Sequence, residues 1–166
     1  MEEGARDWDP RVGTQAEISQ ASSARTRGYV GVMLLTPREF VRFLDGRSGD
    51  VQTIAFVPGG FTARIGAVSC DLLIRRDYAH KLNRTHGLRY EHWGIMQIAI
   101  NHGYAILERG DLVFVYLDDT VFNDMFVLAI KEAANGQELW VKSFHRCEPR
   151  KLNRLLKNGE LLREHT

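Results

Sequence analysis

Two cysteines, Cys70 and Cys147, are all that this 166-residue chain carries. They make no framework spacing, so a disulfide-stapled fold is excluded and two thiols of a reducing compartment are expected. No apolar run approaches the roughly 20 residues of a membrane span. The first ten residues, MEEGARDWDP, are acidic with no hydrophobic segment behind them. No secretory leader is read there, no membrane partner is expected, and the expected place is the cytoplasm. Charge of one sign is also missing in bulk, since the formal net charge is only +1.

Several motifs are absent too. There is no GxxxxGKS/T, no GxGxxG after a strand, no GxSxG and no HExxH. The first two absences argue against a nucleotide-cofactor transferase; the last two against a nucleophile-elbow hydrolase and a zinc peptidase. His80, His86 and His92 are spaced by six. On a helix that is about 240° per step, so the three do not share a face and no metal or other cofactor is expected.

What is present is a globular composition, 44% apolar and 26% charged, long enough to bury a core. Residues 1–27 are polar, rich in Ser, Gly, Ala and Arg, and read as a mobile tail. Residues 28–166 read as one domain, with 28–73 a β-rich extension and 74–163 the core. YVGVMLL, Tyr29 to Leu35, reads as a strand. Thr36, Pro37 and Glu39 then supply a cap, a first-turn proline and a capping box, and Gly46 closes the helix. VQTIAFVPGGFTARIGAVSCDLLI is β-rich and broken at Pro58-Gly59-Gly60. Asp77 reads as the cap of a helix that Gly87 stops, and EHWGIMQIAINH as one further helix stopped by Gly103.

After Gly103 the apolar period changes from 3.6 to 2. YAILERGDLVFVYLDD turns at Arg109-Gly110-Asp111, and MFVLAIKEAANGQELWVKSFHR at Asn135-Gly136. The fold expected is α+β: an antiparallel four-stranded meander, preceded by two helices and followed by a basic C-terminal helix ending near Arg163. In strict alternation Trp140, Lys142 and Phe144 share one face of the last strand, and Val141, Ser143 and His145 the other.

Basic residues cluster in two places. Lys142 to Thr166 holds seven Lys or Arg against three Glu, and Ile74 to His92 holds five against Asp77 and Glu91. Histidine, lysine, arginine, serine and tyrosine in such clusters suit RNA cleavage without a metal. RNA carries its own nucleophile, the 2′-hydroxyl. The protein then needs a base, an acid and cations for the phosphate. The same groups also suit a solvated surface, or a helix end on which a histidine caps.

The stretches DYAHKLNRTHGL, EHWGIMQIAINHG and ELWVKSFHRCEPRKLNRLLKNGELL, in this order, resemble the barnase–EndoU–colicin–RelE group of ribonucleases, and within it the phage-associated nuclease-like families. The resemblance covers about Ile74 to Arg163. It implies a toxin- or effector-like endoribonuclease that leaves a 2′,3′-cyclic phosphate, with RNA and a cognate inhibitor protein as partners. It places the helix basic residue and histidine on Lys81 and His86, and the polar strand end on Ser143 and His145. On this reading His86 and His145 are the acid–base pair, in either order. Lys81, Arg84 and Arg146 contact phosphates and Ser143 orients. His80 is the reserve, and Tyr116, Arg150 and Arg154 line the substrate path. The alternative is a non-catalytic RNA-binding or protein-interaction module on the same fold.

Overall fold

A computed structural model describes residues 35–166. The expected tail and nearly all of the expected strand Tyr29 to Leu35 lie outside the described residues. Helix α1 (Pro37–Leu44) begins as its sequence dictates: the Thr36 hydroxyl accepts from Glu39 N, and the Glu39 carboxylate accepts from Thr36 N. Its apolar side, Phe40 and Phe43, is fully buried. Strand β1 (Val51–Phe56) follows. A short helix α2 (Gly59–Thr62) and a 3₁₀ turn (Ala63–Ile65) then occupy the stretch after Pro58, and lead to β2 (Asp71–Arg75).

Helix α3 (Arg76–His86) starts directly at the end of β2. Its cap is Arg75, not Asp77, which lies in the first turn, and Gly87 closes it in the left-handed conformation. The next expected helix is two pieces, α4 (Tyr90–Trp93) and α5 (Ile95–His102), meeting at Gly94. Strands β3 (Tyr104–Glu108), β4 (Asp111–Asp118), β5 (Asp124–Ala133) and β6 (Glu138–Cys147) form the meander. Arg109 and Gly110 both have positive φ, as a two-residue hairpin loop demands. Helix α6 (Pro149–Asn158) follows, then β7 (Glu160–Arg163). The expected basic helix therefore stops at Gly159 and the chain re-enters the sheet.

The expected four-stranded antiparallel meander is corrected to a seven-stranded mixed sheet, ordered β1-β2-β6-β5-β4-β3-β7. The meander is its middle. β7 adds antiparallel to β3, and β2 pairs with β6 in parallel through Leu72–Leu139 and Leu73–Trp140. The physical reason lies in sequence order. Between β2 and β6 the chain runs through α3, α4, α5 and the strands β3, β4 and β5, ample length for the long connection that a parallel pairing requires.

One sheet face packs against α1, α3, α4 and α5 through a core that includes Phe40, Trp93, Phe114, Phe126 and Phe144. The other face is covered by α6, where Leu155 and Leu152 meet Ile106, Val113, Val115 and Val127. Both faces are thus buried, which explains why β4 and β5 read as nearly continuous apolar runs. The register slips between Ala129 and Ile130, so Lys142 bulges out of the β5–β6 ladder. Strict alternation along β6 fails there. Val141 and Phe144 both enter the main core, while Ser143 and His145 stand opposite Ala129 and Val127 on the α6 side.

Candidate active site at the end of β6

The one parallel pair among the described residues, β2 with β6, sets the geometry. β2 and β6 run the same way, and α3 carries on from β2, so the helix travels along the edge of β6 that β2 has left. Its first turn is tied down by the Tyr78 hydroxyl, which donates to the carbonyl of Lys142. Its last turn is tied by Arg146, whose Nη2 donates to the carbonyl of His86 at 3.4 Å. From residue 78 to 86 a helix rises about 12 Å. From residue 142 to 146 a strand advances about 13 Å. The two lengths match, so the C-terminus of α3 arrives at the C-terminus of β6.

There the imidazoles of His86 and His145 stack, with ring centroids 4.6 Å apart and planes 25° from parallel. His145 Nδ1 lies 2.7 Å from the carbonyl of its neighbour Arg146. A carbonyl only accepts, so Nδ1 carries the proton and Nε2 of the neutral ring keeps a lone pair. Burial lowers the His145 pKa below the usual imidazole range. The Arg146 hydrogen bond works against that shift, and the charge of Lys151 adds to it. His86 is lowered by burial and then by His145. Each ring disfavours a proton on the other, so the pair takes its first proton more readily than its second.

Cations flank the pair. Arg146 also approaches Asp124, Nη1 to Oδ2 3.9 Å. Lys151 on α6 is half-buried, its ammonium pKa lowered by burial and by Arg154, with Glu108 acting the other way. Sequence reasoning passed over Lys151. Its spacing of four before the inward Leu155 marks it as belonging to the sheet-facing side. Ser143 lies two residues before His145 on the same face of β6.

The remaining expected residues are more scattered. Lys81 and Arg84 lie on α3, Arg84 exposed and Lys81 half-buried. His80 Nε2 is 2.7 Å from the Leu44 carbonyl and holds α1 to α3. Tyr116 pairs across the ladder with Phe126, so it stands on the core face, away from His145. Its ring stacks on His165 at 5.1 Å. Arg150 is almost fully exposed and faces Glu148 at 3.4 Å. Arg154 binds Glu108 at 3.0 Å and lines a groove with Asp111, Lys131 and Lys142. His92 is buried, packs on Phe122 and Phe126, and accepts from the backbone N–H of Arg89. Among the described residues no helix is long and apolar enough to cross a membrane.

Comparison with protein-family models, with curated proteins and with solved structures gives no match for this chain.

Proposed function

We propose that this chain is a metal-independent endoribonuclease in which His86 and His145 move the protons. Arg146 and Lys151 offset the charge that builds on the phosphate. The observation that carries the reading is the contact of the two imidazoles at 4.6 Å, with a guanidinium and an ammonium beside them.

The reaction needs nothing further. One imidazole takes the proton of the RNA 2′-hydroxyl, whose oxygen attacks the adjacent phosphorus. The P–O5′ bond breaks, and the other imidazole, protonated, gives its proton to the leaving oxygen. The products are a 2′,3′-cyclic phosphate and a 5′-hydroxyl. Because the rings touch, the phosphate lies along their shared edge rather than between their faces. His145 suits the base, since its Nδ1 is engaged and its Nε2 is left to accept. The singly protonated pair is the working form, holding one acid and one base at once. Arg84 and Lys81 extend the cationic edge along α3, and Ser143 orients from β6. DNA lacks the 2′-hydroxyl and is not cut. Action as a toxin-like effector, restrained by an inhibitor protein, rests on the resemblance of the quoted stretches alone, and its place in the cytoplasm on two cysteines with no framework spacing.

The test is cleavage of pooled cellular RNA in EDTA by the wild type, His86→Ala and His145→Ala. The expected result is cutting with cyclic ends, reduced at least roughly 100-fold in either variant. The closed stack also favours a second reading, a binding module, because touching rings leave no slot between them. Intact RNA that binds in a salt-sensitive way would favour that module and end the catalytic assignment.

A further inference from the structure

A second basic surface lies away from the histidine pair. On α1 and the turn after it, Arg38, Arg42 and Arg47 line a surface depression of about 420 Å³ with Pro37, Val41 and Asp45. All three arginines are exposed, and among the described residues their guanidinium groups make no hydrogen bond or ion pair. Arg64, Arg76, Arg146, Arg150 and Arg154, by contrast, each have an acidic partner. Three positive charges against Asp45 leave this depression with an unbalanced charge that no fold contact uses.

Its position is informative. The end of α1 meets α3 at His80. Phe40, one turn earlier, meets Tyr90 and Trp93, beyond the end of α3. The two helices therefore run in opposite senses, side by side on the same face of the sheet. The start of α1 thus lies towards the end of α3, where His86 sits. Exposed Arg84, one turn after His80 on the side of α3 that faces α1, and exposed Arg89, next to the Tyr90 that Phe40 meets, carry positive charge beside α1.

We propose that Arg38, Arg42 and Arg47, continued by Arg84 and Arg89, form a track for the phosphodiester backbone of single-stranded nucleic acid leading to the histidine pair. This deepens the ribonuclease reading by assigning it an extended, single-stranded substrate. Guanidinium groups suit the role because each offers a planar fork of donors to phosphate oxygens and stays charged. No base-reading element is implied, so the track is indifferent to sequence.

The test separates the track from catalysis by using a single-stranded oligothymidylate 12-mer, which has no 2′-hydroxyl. Its binding to the full chain is followed by fluorescence anisotropy across a salt series. The Arg38→Ala/Arg42→Ala/Arg47→Ala variant is expected to bind roughly tenfold or more weakly at low salt. Its slope of log affinity against log salt should be shallower by about 2, at about 0.7 per lost phosphate contact on a single strand. A variant of equal charge change elsewhere, Arg64→Ala/Lys131→Ala/Lys157→Ala, controls for net charge and should keep most of the slope. Equal losses in both variants, or a wild-type slope in the first, would overturn the track. RNA left uncut by a protein that shows the expected slopes would end the catalytic reading and leave the track standing.

Discussion

Tyr78 anchors the first turn of α3 to the backbone of β6, its hydroxyl donating to the carbonyl of Lys142 at the residue that bulges from the ladder. The contact fixes the helix along the strand edge and, eight residues later, the approach of His86 to His145. Tyr78→Phe is expected to lose about 1–2 kcal/mol in urea unfolding, because the carbonyl it leaves is partly buried. It should also weaken the proton coupling between the two histidines, as seen by NMR titration. Coupling unchanged in a destabilised variant would show that Tyr78 does not position the pair.

The histidine pair makes its own pH prediction. Both groups are lowered from the usual imidazole range, chiefly by burial, and the charge of His145 lowers His86 further. Cleavage should therefore follow a bell-shaped profile with its optimum below about pH 6.5, where one proton is held by the pair. Replacing His145 with Asn should raise the His86 pKa, and Lys151→Met should raise that of His145. An optimum above neutrality would contradict this assignment of roles.

Stability should fall on mild acidification. His86, His92, His145 and His165 are all lowered, in each case chiefly by burial. A histidine lowered in the folded state binds fewer protons there than in the unfolded chain, so unfolding takes up protons as the pH drops. The stabilisation is complete above the unfolded value of about 6.5 and is lost as pH falls toward the folded values. Asp118 extends the loss to lower pH. Burial opposes its ionisation, but hydrogen bonds from the backbone of Phe122, Thr120 and Val121 and from the Thr120 hydroxyl outweigh it. Urea midpoints at pH 7.5, 5.5 and 4 should decline in that order.

Gly136 is predicted to be irreplaceable by alanine. Its φ is +85°, and an added Cβ would lie 2.1 Å from the Gly66 carbonyl oxygen. The carbonyl of Gly136 itself accepts from Val68 N at 2.8 Å, so the turn after β5 is locked to the loop before β2. Gly136→Ala should cost at least about 2 kcal/mol, on the order of 4–8 °C in melting temperature for a chain of this size. A melting curve superimposable on the wild type would contradict this packing.

Local structure was legible wherever one residue type has one physical use. Thr36 and Glu39 announced a helix start, Gly87 a helix end, and Arg109-Gly110 a hairpin. The Gly94 junction was not legible, because Trp93, Ile95 and Met96 keep an unbroken apolar surface across it. Nor was β7. ELLR follows a helix whose leucines share its composition, and only its pairing with Ala105, Ile106 and Leu107 makes it a strand. The bulge at Lys142 likewise has no signal in a run that alternates cleanly on paper.

The candidate site divides along the same line. That His86 ends a helix and His145 ends a strand follows from the sequence, since glycine punctuation and period-2 alternation are local consequences of backbone sterics. That their rings touch was decided by β2 lying parallel to β6, which aims α3 at the end of that strand. Strand pairing depends on residues far apart in the chain, here Leu72 with Leu139, and on the burial of both sheet faces at once. A local pattern gives each side chain its place on an element. Only the packing of the whole sheet determines which elements share an end.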